Sequence, residues 1–128
     1  MDFTTRRGII DYCLTFPDAY EDYPFDDPAG DNPTAVIRHR ANRKMFALVA
    51  LHGGKPWLNL KCDPVEAVLL RQTFKSVIPG WHQSHEHWNT VMLGEGCDVP
   101  EAEIERMVHN SYGLIKPKGK RAGKQTKP

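Results

Sequence analysis

Residues 45–51, Met-Phe-Ala-Leu-Val-Ala-Leu, constrain the fold of this chain more than any other stretch. An apolar run this short cannot cross a bilayer as a helix, which takes about 20 residues. Its nearly unbroken apolar character marks a central strand. His52-Gly53-Gly54-Lys55 turns the chain back into residues 56–61, where Trp57, Asn59 and Lys61 alternate with Leu58 and Leu60. That alternation is the pattern of a half-buried sheet. On the other side, Ala35-Val36-Ile37-Arg38-His39 reads as a short strand that reaches the run through the turn Ala41-Asn42-Arg43. The middle of the chain is therefore expected to be a meander of three antiparallel strands.

Helical patterns flank the meander. Ile9, Ile10, Cys13 and Leu14 recur at helical spacing behind a Thr4 or Thr5 cap, and Pro17 ends that helix. Residues 17–34, acidic and rich in Pro, Gly and Asn, read as an irregular loop. After the meander, Asp63 precedes Pro64, with Glu66 placed as in a capping box, and Val65, Val68, Leu69 and Phe74 supply a buried stripe. Val77-Ile78-Pro79-Gly80 breaks into a turn. Residues 86–93 then read as a strand that puts His87, Asn89 and Val91 on one face and Trp88, Thr90 and Met92 on the other. Asp98 is a candidate cap for a last helix carrying Ile104, Met107, Val108 and Ser111. The expected fold is α+β: a two-layer α/β sandwich with an antiparallel sheet, in the order α-β-β-β-α-β(-β)-α.

At 128 residues the chain fits one domain with a single core. Its net charge of +1 is unevenly spread. Residues 116–128 hold Lys116, Lys118, Lys120, Arg121, Lys124 and Lys127 and no acid, a tail of +6. That leaves 11 of the 17 basic residues and all 16 acids in residues 1–115, a body of −5. The tail, with Pro and Gly and no large apolar residue, is expected to be disordered and to attract phosphate without reading sequence. The N-terminus lacks the apolar segment of a signal peptide, and three cysteines at irregular spacing suit a reducing cytoplasm. A cytosolic domain over 1–115 with a basic tail over 116–128 is the expected organisation.

The richest stretch for chemistry is residues 78–91, with three histidines, two tryptophans and an Asn-Thr pair in fourteen residues. His82, His85 and His87 can offer imidazoles to zinc or copper, yet no carboxylate or thiolate at a stereotyped spacing completes the set. His87 with Ser111 or Cys62 makes a base and a nucleophile, but no elbow, oxyanion loop or orienting residue accompanies them. Trp88 is expected to be a core anchor. Trp57 and Trp81 are candidates for exposed stacking surfaces, and Trp57 with Asn59 and Lys61 makes a polar-aromatic patch suited to a nucleotide or peptide. Binding rather than catalysis is expected, with no cofactor, no resident metal and no membrane.

Several motifs fall in one order along the chain: Cys13, Pro24-Phe25, Lys44-Met45-Phe46-Ala47, Asn59-Leu60-Lys61-Cys62-Asp63-Pro64 and Leu70-Arg71. Pro79-Gly80, His87-Trp88-Asn89-Thr90-Val91 and Ser111-Tyr112 complete the series. In this the chain resembles the MmcQ/YjbR family of small bacterial proteins over residues 4–115. The resemblance implies the same two-layer sandwich, related in shape to frataxin-like and secretion-chaperone-like proteins. It also implies DNA binding. Where the family commonly has Asn-Lys-Lys/Arg before His-Trp, this chain has Ser84-His85-Glu86, which removes two cations from any phosphate contact there. The expected contacts, weak and salt-sensitive, are Trp57, Asn59, Lys61, Arg71, Lys75, His85, His87 and Asn89, with Lys116, Lys118, Lys120 and Arg121 from the tail. The alternative is a protein-interaction or chaperone-like module, motivated by the acidic body and the fold's likeness to secretion chaperones.

Overall fold

The computed structural model describes residues 2–31 and 33–117. Helix α1 spans Arg6–Leu14 and is followed by strand β1 at Ala19–Asp22. The meander then comes as β2 (Ala35–His39), β3 (Met45–His52) and β4 (Lys55–Lys61). Helix α2 (Pro64–Thr73), strands β5 (Val77–Pro79) and β6 (Trp88–Met92), and helix α3 (Glu101–Ile115) complete the chain. The strands form one sheet in the order β1-β2-β3-β4-β6-β5, antiparallel at every step. This is the expected α+β sandwich, with six strands against three helices among the described residues.

Two strands lie where turns or loop were expected. Ala19–Asp22 belongs to the acidic segment that reads as loop, yet it pairs with β2 in register Ala19↔His39 to Asp22↔Val36. Its acids are answered by cations: Arg7 grips Glu21 through two parallel bonds of 3.0 and 2.8 Å, and Arg38 meets Asp22 at 2.9 Å. Val77–Pro79, which reads as a turn, pairs with β6 and forms the opposite edge.

All three helices share one side of the sheet. Ile9, Ile10 and Cys13 of α1, Ala67 and Leu70 of α2, and Ile104, Met107, Val108 and Ile115 of α3 join one buried cluster with Ile37, Phe46, Ala47, Val49, Leu58, Leu60 and Val91. Phe46 reaches this side because the register shifts between Ile37 and Arg38, a bulge that re-aims the strand. Of the stripe expected on α2 only Phe74, at the helix's C-cap, packs against the core. Val65, Val68 and Leu69 are 69%, 43% and 55% exposed, and the helix buries Ala67 and Leu70 instead. Small Ala67 admits Asn89, whose Nδ2 donates to the Ala67 carbonyl at 3.1 Å.

The caps follow the sequence in part. Thr5 Oγ1 accepts from Gly8 N–H at 3.1 Å, and Asp63 accepts from Val65 N–H at 2.9 Å. No capping box forms on α2, because Glu66 reaches across to Arg106 and Asn110 of α3 at 3.3 Å each. Asp98 does not cap α3, whose N-cap is Pro100. Its carboxylate accepts from the N–H groups of Lys75 and Ser76 at 2.8 and 3.0 Å, tying the entry of β5 to the segment before α3, and these bonds hold it below the usual carboxylate range.

Gly80 sits where the chain crosses β6: a Cβ there would lie 2.7 Å from Trp88 Cβ and 3.0 Å from Trp88 O. Gly80→Ala is therefore expected to cost about 1–3 kcal/mol of overpacking strain, read as a lower urea midpoint at unchanged slope.

Candidate functional site

The helix-free face of the sheet is closed at its centre by a single turn. Residues 80–87 fold back over the sheet, and Trp81 packs on a small apolar cluster of Val36, Leu48 and Ala50. Its backbone N–H is held by Thr90 Oγ1 at 2.8 Å and Asn59 Oδ1 at 3.1 Å, and Thr90 also donates to Asn59 Oδ1 at 2.7 Å. These bonds fix the orientation of the Asn59 amide, since a rotated amide would set two N–H groups against each other. Asn59 is fully buried, and its Nδ2 has no partner among the described residues.

The residues expected to form one nucleic-acid surface do not lie together. Asn59 is buried on the helix-free face, while Asn89 is buried on the helix side, between Ala67 and the Arg71 guanidinium. Arg71 Nη1 donates to Asn89 Oδ1 at 2.8 Å and to the His85 carbonyl at 2.9 Å, so it braces the 80–87 turn. One face of Trp57 is covered by the His52 ring, stacked at 3.9 Å and 15°. His85 and His87 precede β6 in a turn, so His87 does not share the strand face expected for it with Asn89 and Val91. His87 lies beside Glu86 at 3.3 Å. Trp88 is half-buried on the face of Lys61 and Thr90 and lies outside the core it was expected to anchor. Lys75 is exposed at the far end, before β5. Lys118, Lys120 and Arg121, with the expected disorder of the tail, lie outside the described residues.

The candidate nucleophiles are structural. Ser111 is buried, and its Oγ donates to the Phe46 carbonyl at 2.6 Å and accepts from Lys61 N–H at 2.9 Å. Burial pushes the Cys62 thiol up to about 11 and Cys13 up to about 12, which disfavours the thiolate that would attack or bind metal. Among the described residues no three His, Cys, Asp or Glu side chains gather as a metal site, and His82 instead sets its ring edge-on to Trp81 at 4.3 Å.

A different grouping, unnoticed in the sequence, lies at the β2–β3 turn. On one side Arg38, Arg40 and Arg43 with Tyr20 and Asp22 line an open hollow of about 580 Å³. Asp22 is taken by Arg38, and the Arg40 guanidinium lies over the Tyr20 ring at 5.1 Å. On the other side Lys44, Lys61 and Lys116 line a second hollow, of about 360 Å³, with Asn42, Leu114, Ile115 and Pro117. Four cations in the seven residues 38–44 were the signal for this grouping, masked by their reading as a strand end and a turn.

The end of α3 assembles this site. His39 Nε2 lies 3.0 Å from the Tyr112 carbonyl, and Asn42 Nδ2 donates to the Ile115 carbonyl at 2.9 Å. A carbonyl only accepts, so His39 carries its proton on Nε2. Burial, with a further push from Lys116, lowers the His39 imidazole below its ordinary 6.5 and keeps it neutral.

This constellation sits on a fold with known relatives. The chain belongs to the YjbR family, whose model matches residues 14–114. The uncharacterised protein YyaQ of Bacillus subtilis is 33% identical over 122 residues, 88% of this chain and 98% of that protein. The uncharacterised YbdF of Escherichia coli O157:H7 is 35% identical over 72 residues, a match that spans only 57% of YbdF. A crystal structure of a Deinococcus radiodurans protein with a DUF419 domain superposes with a TM-score of 0.76 at 32% identity, covering 91% of this chain and 82% of that one. No helix among the described residues is long and apolar enough to cross a membrane.

Two measurements follow from this geometry. Asn89→Ala is expected to cost about 1–3 kcal/mol in denaturant unfolding, because Arg71 and the Ala67 carbonyl lose a buried partner. A folded His39 imidazole held below its unfolded value binds fewer protons than the unfolded one, so its share of stability is full above 6.5 and is lost as pH falls. Unfolding midpoints between about pH 7 and about pH 5 should therefore fall more steeply for the wild type than for His39→Gln.

Proposed function

We propose that this YjbR-family protein binds the phosphate backbone of nucleic acid, without sequence readout, through the basic end of its sheet. One observation carries the reading: two hollows flank the β2–β3 turn, one lined by three arginines and the other by three lysines. The acid in the first is neutralised by Arg38, and the second contains none. Arginine forks and lysine ammoniums facing a common edge attract phosphates and release counterions. Arg40 over Tyr20 adds a flat cationic surface on which a base or sugar can rest. Lys116 is the first residue beyond α3, so Lys118, Lys120 and Arg121 extend the same charge along the chain. Of the residues that the sequence suggested, Lys61 and Lys116 belong to this surface, while Asn59, Asn89 and Arg71 serve the fold. The protein acts by binding, with no catalytic step, in a cytosolic setting.

The test is fluorescence anisotropy with labelled duplex and single-stranded DNA over a salt series, comparing the full chain, Arg40→Ala/Arg43→Ala and a chain ending at residue 117. Losing two phosphate contacts should flatten the logarithmic salt slope for duplex by about 1.8. Unchanged affinity in the double variant would sink the reading, and loss only on truncation would leave the tail as the sole attractor.

A second reading, capture of a protein partner, is favoured by the outward stripe Val65, Val68 and Leu69 on α2. Such residues one helical turn apart form a narrow apolar ridge. If the ridge pairs with a second copy, light scattering should show a mass that rises with concentration and reverts to monomer in Leu69→Glu.

A further inference from the structure

The hollow beside Trp81 has the opposite electrostatic character to the basic end. It holds about 430 Å³, within the size range of small-molecule sites, and is lined by Phe25, Asp26, Thr34, Leu48, Trp81, His82 and Gln83. It shares no lining residue with either basic hollow. We propose that this hollow binds a small organic cation, an alkylammonium or quaternary ammonium, between the aromatic rings of Phe25 and Trp81 and the carboxylate of Asp26.

Three observations support the assignment. Phe25 stands 68% exposed on the acidic segment, outside the core, where a large aromatic ring forgoes the stabilisation of burial. Trp81 is held in place from beneath, its N–H tied to Thr90 and Asn59 and its indole seated on Leu48, with the His52 ring edge-on at 4.6 Å. The adjoining His82 has a φ of +58°, a left-handed conformation that a non-glycine residue adopts at a cost and that sets its ring beside Trp81.

The charge of the lining decides the ligand. It contains one carboxylate and neither Lys nor Arg. Among the described residues the Asp26 carboxylate accepts one hydrogen bond, from Thr34 N–H to Oδ2 at 2.8 Å, which positions it and leaves Oδ1 for a ligand. Indole and phenyl faces carry negative quadrupoles and attract cations. The Thr34 hydroxyl and the Gln83 carbonyl add neutral acceptors. The one formal charge in the lining is the Asp26 carboxylate, which favours a cation over a phosphate, so this site is independent of the nucleic-acid reading.

The test uses the full chain, titrated with choline chloride and followed by the nitrogen–proton NMR signals of the Trp81 indole and the Thr34 amide. A parallel titration uses the neutral isostere with tert-butyl in place of trimethylammonium, at matched ionic strength. Saturable shifts with choline and none with the isostere are expected. Asp26→Asn keeps an oxygen for Thr34 and should weaken binding about tenfold, the size of one charge-assisted contact. Phe25→Ala, at an exposed position, should weaken it about threefold while the unfolding midpoint stays put. Equal binding of the isostere, an unchanged affinity in Asp26→Asn, or the absence of saturable shifts would each overturn the proposal.

Discussion

The docking of the C-terminal half of α3 onto the sheet is the contact on which the rest of the architecture depends. Three polar groups make it: Ser111 bridges β3 and β4, His39 takes the Tyr112 carbonyl, and Asn42 takes the Ile115 carbonyl. The last carbonyls of a helix run short of intrahelical partners. Here the Ile115 carbonyl finds its partner in Asn42 of the β2–β3 hairpin, while the Tyr112 carbonyl, already bonded by Lys116 N–H at 2.9 Å, takes His39 as well. The arrangement does two jobs. It terminates the helix without a glycine, and it sets Lys116 beside Lys44 and Lys61. The basic end is thus a by-product of how a helix terminus is satisfied.

The second face of the sheet shows a different economy. Among the described residues no helix covers it, and a turn with one tryptophan closes its centre over Val36, Leu48 and Ala50. Asn59 and Thr90, both fully buried, hold that turn by its backbone in addition to the apolar seat of Trp81. A backbone clamp fixes where the turn runs while leaving its side chains, His82 and Gln83, free to line a hollow. Buried polar groups of this kind specify one arrangement, and an Asn59 Nδ2 with no partner among the described residues is the cost.

Much of the fold was legible because periodicity reports burial. The run at 45–51 and the alternation at 56–61 became the central hairpin, and Ile104, Met107 and Val108 became the buried stripe of α3. The α2 stripe failed for a physical reason. Hydrophobicity marked Val65, Val68 and Leu69, but the helix lies close against β6 and only Ala67 leaves room for Asn89 beneath it. β1 was hidden because its acids find partners on α1 and β2, pairings between residues at least fourteen positions apart that no local pattern reveals. The site was harder still to see. Asn59 and Asn89 look alike as polar residues in strands, yet pleat parity sends them to opposite faces, where each ties down the backbone of a neighbouring segment.

The two ends of the sheet have a consequence for how anything can attach to it. β5 is three residues long and finishes in Pro79, which has no N–H to offer a neighbouring strand. β1 is four residues long, and its Glu21 and Asp22 are locked in ion pairs. Neither margin presents the long, regular row of donors and acceptors that an incoming strand would need. Among the described residues the sheet ends at six strands. Both described margins therefore disfavour recruitment by strand addition, a common route by which small sheet proteins capture extended peptides or polymerise, and leave encounters to faces and turns.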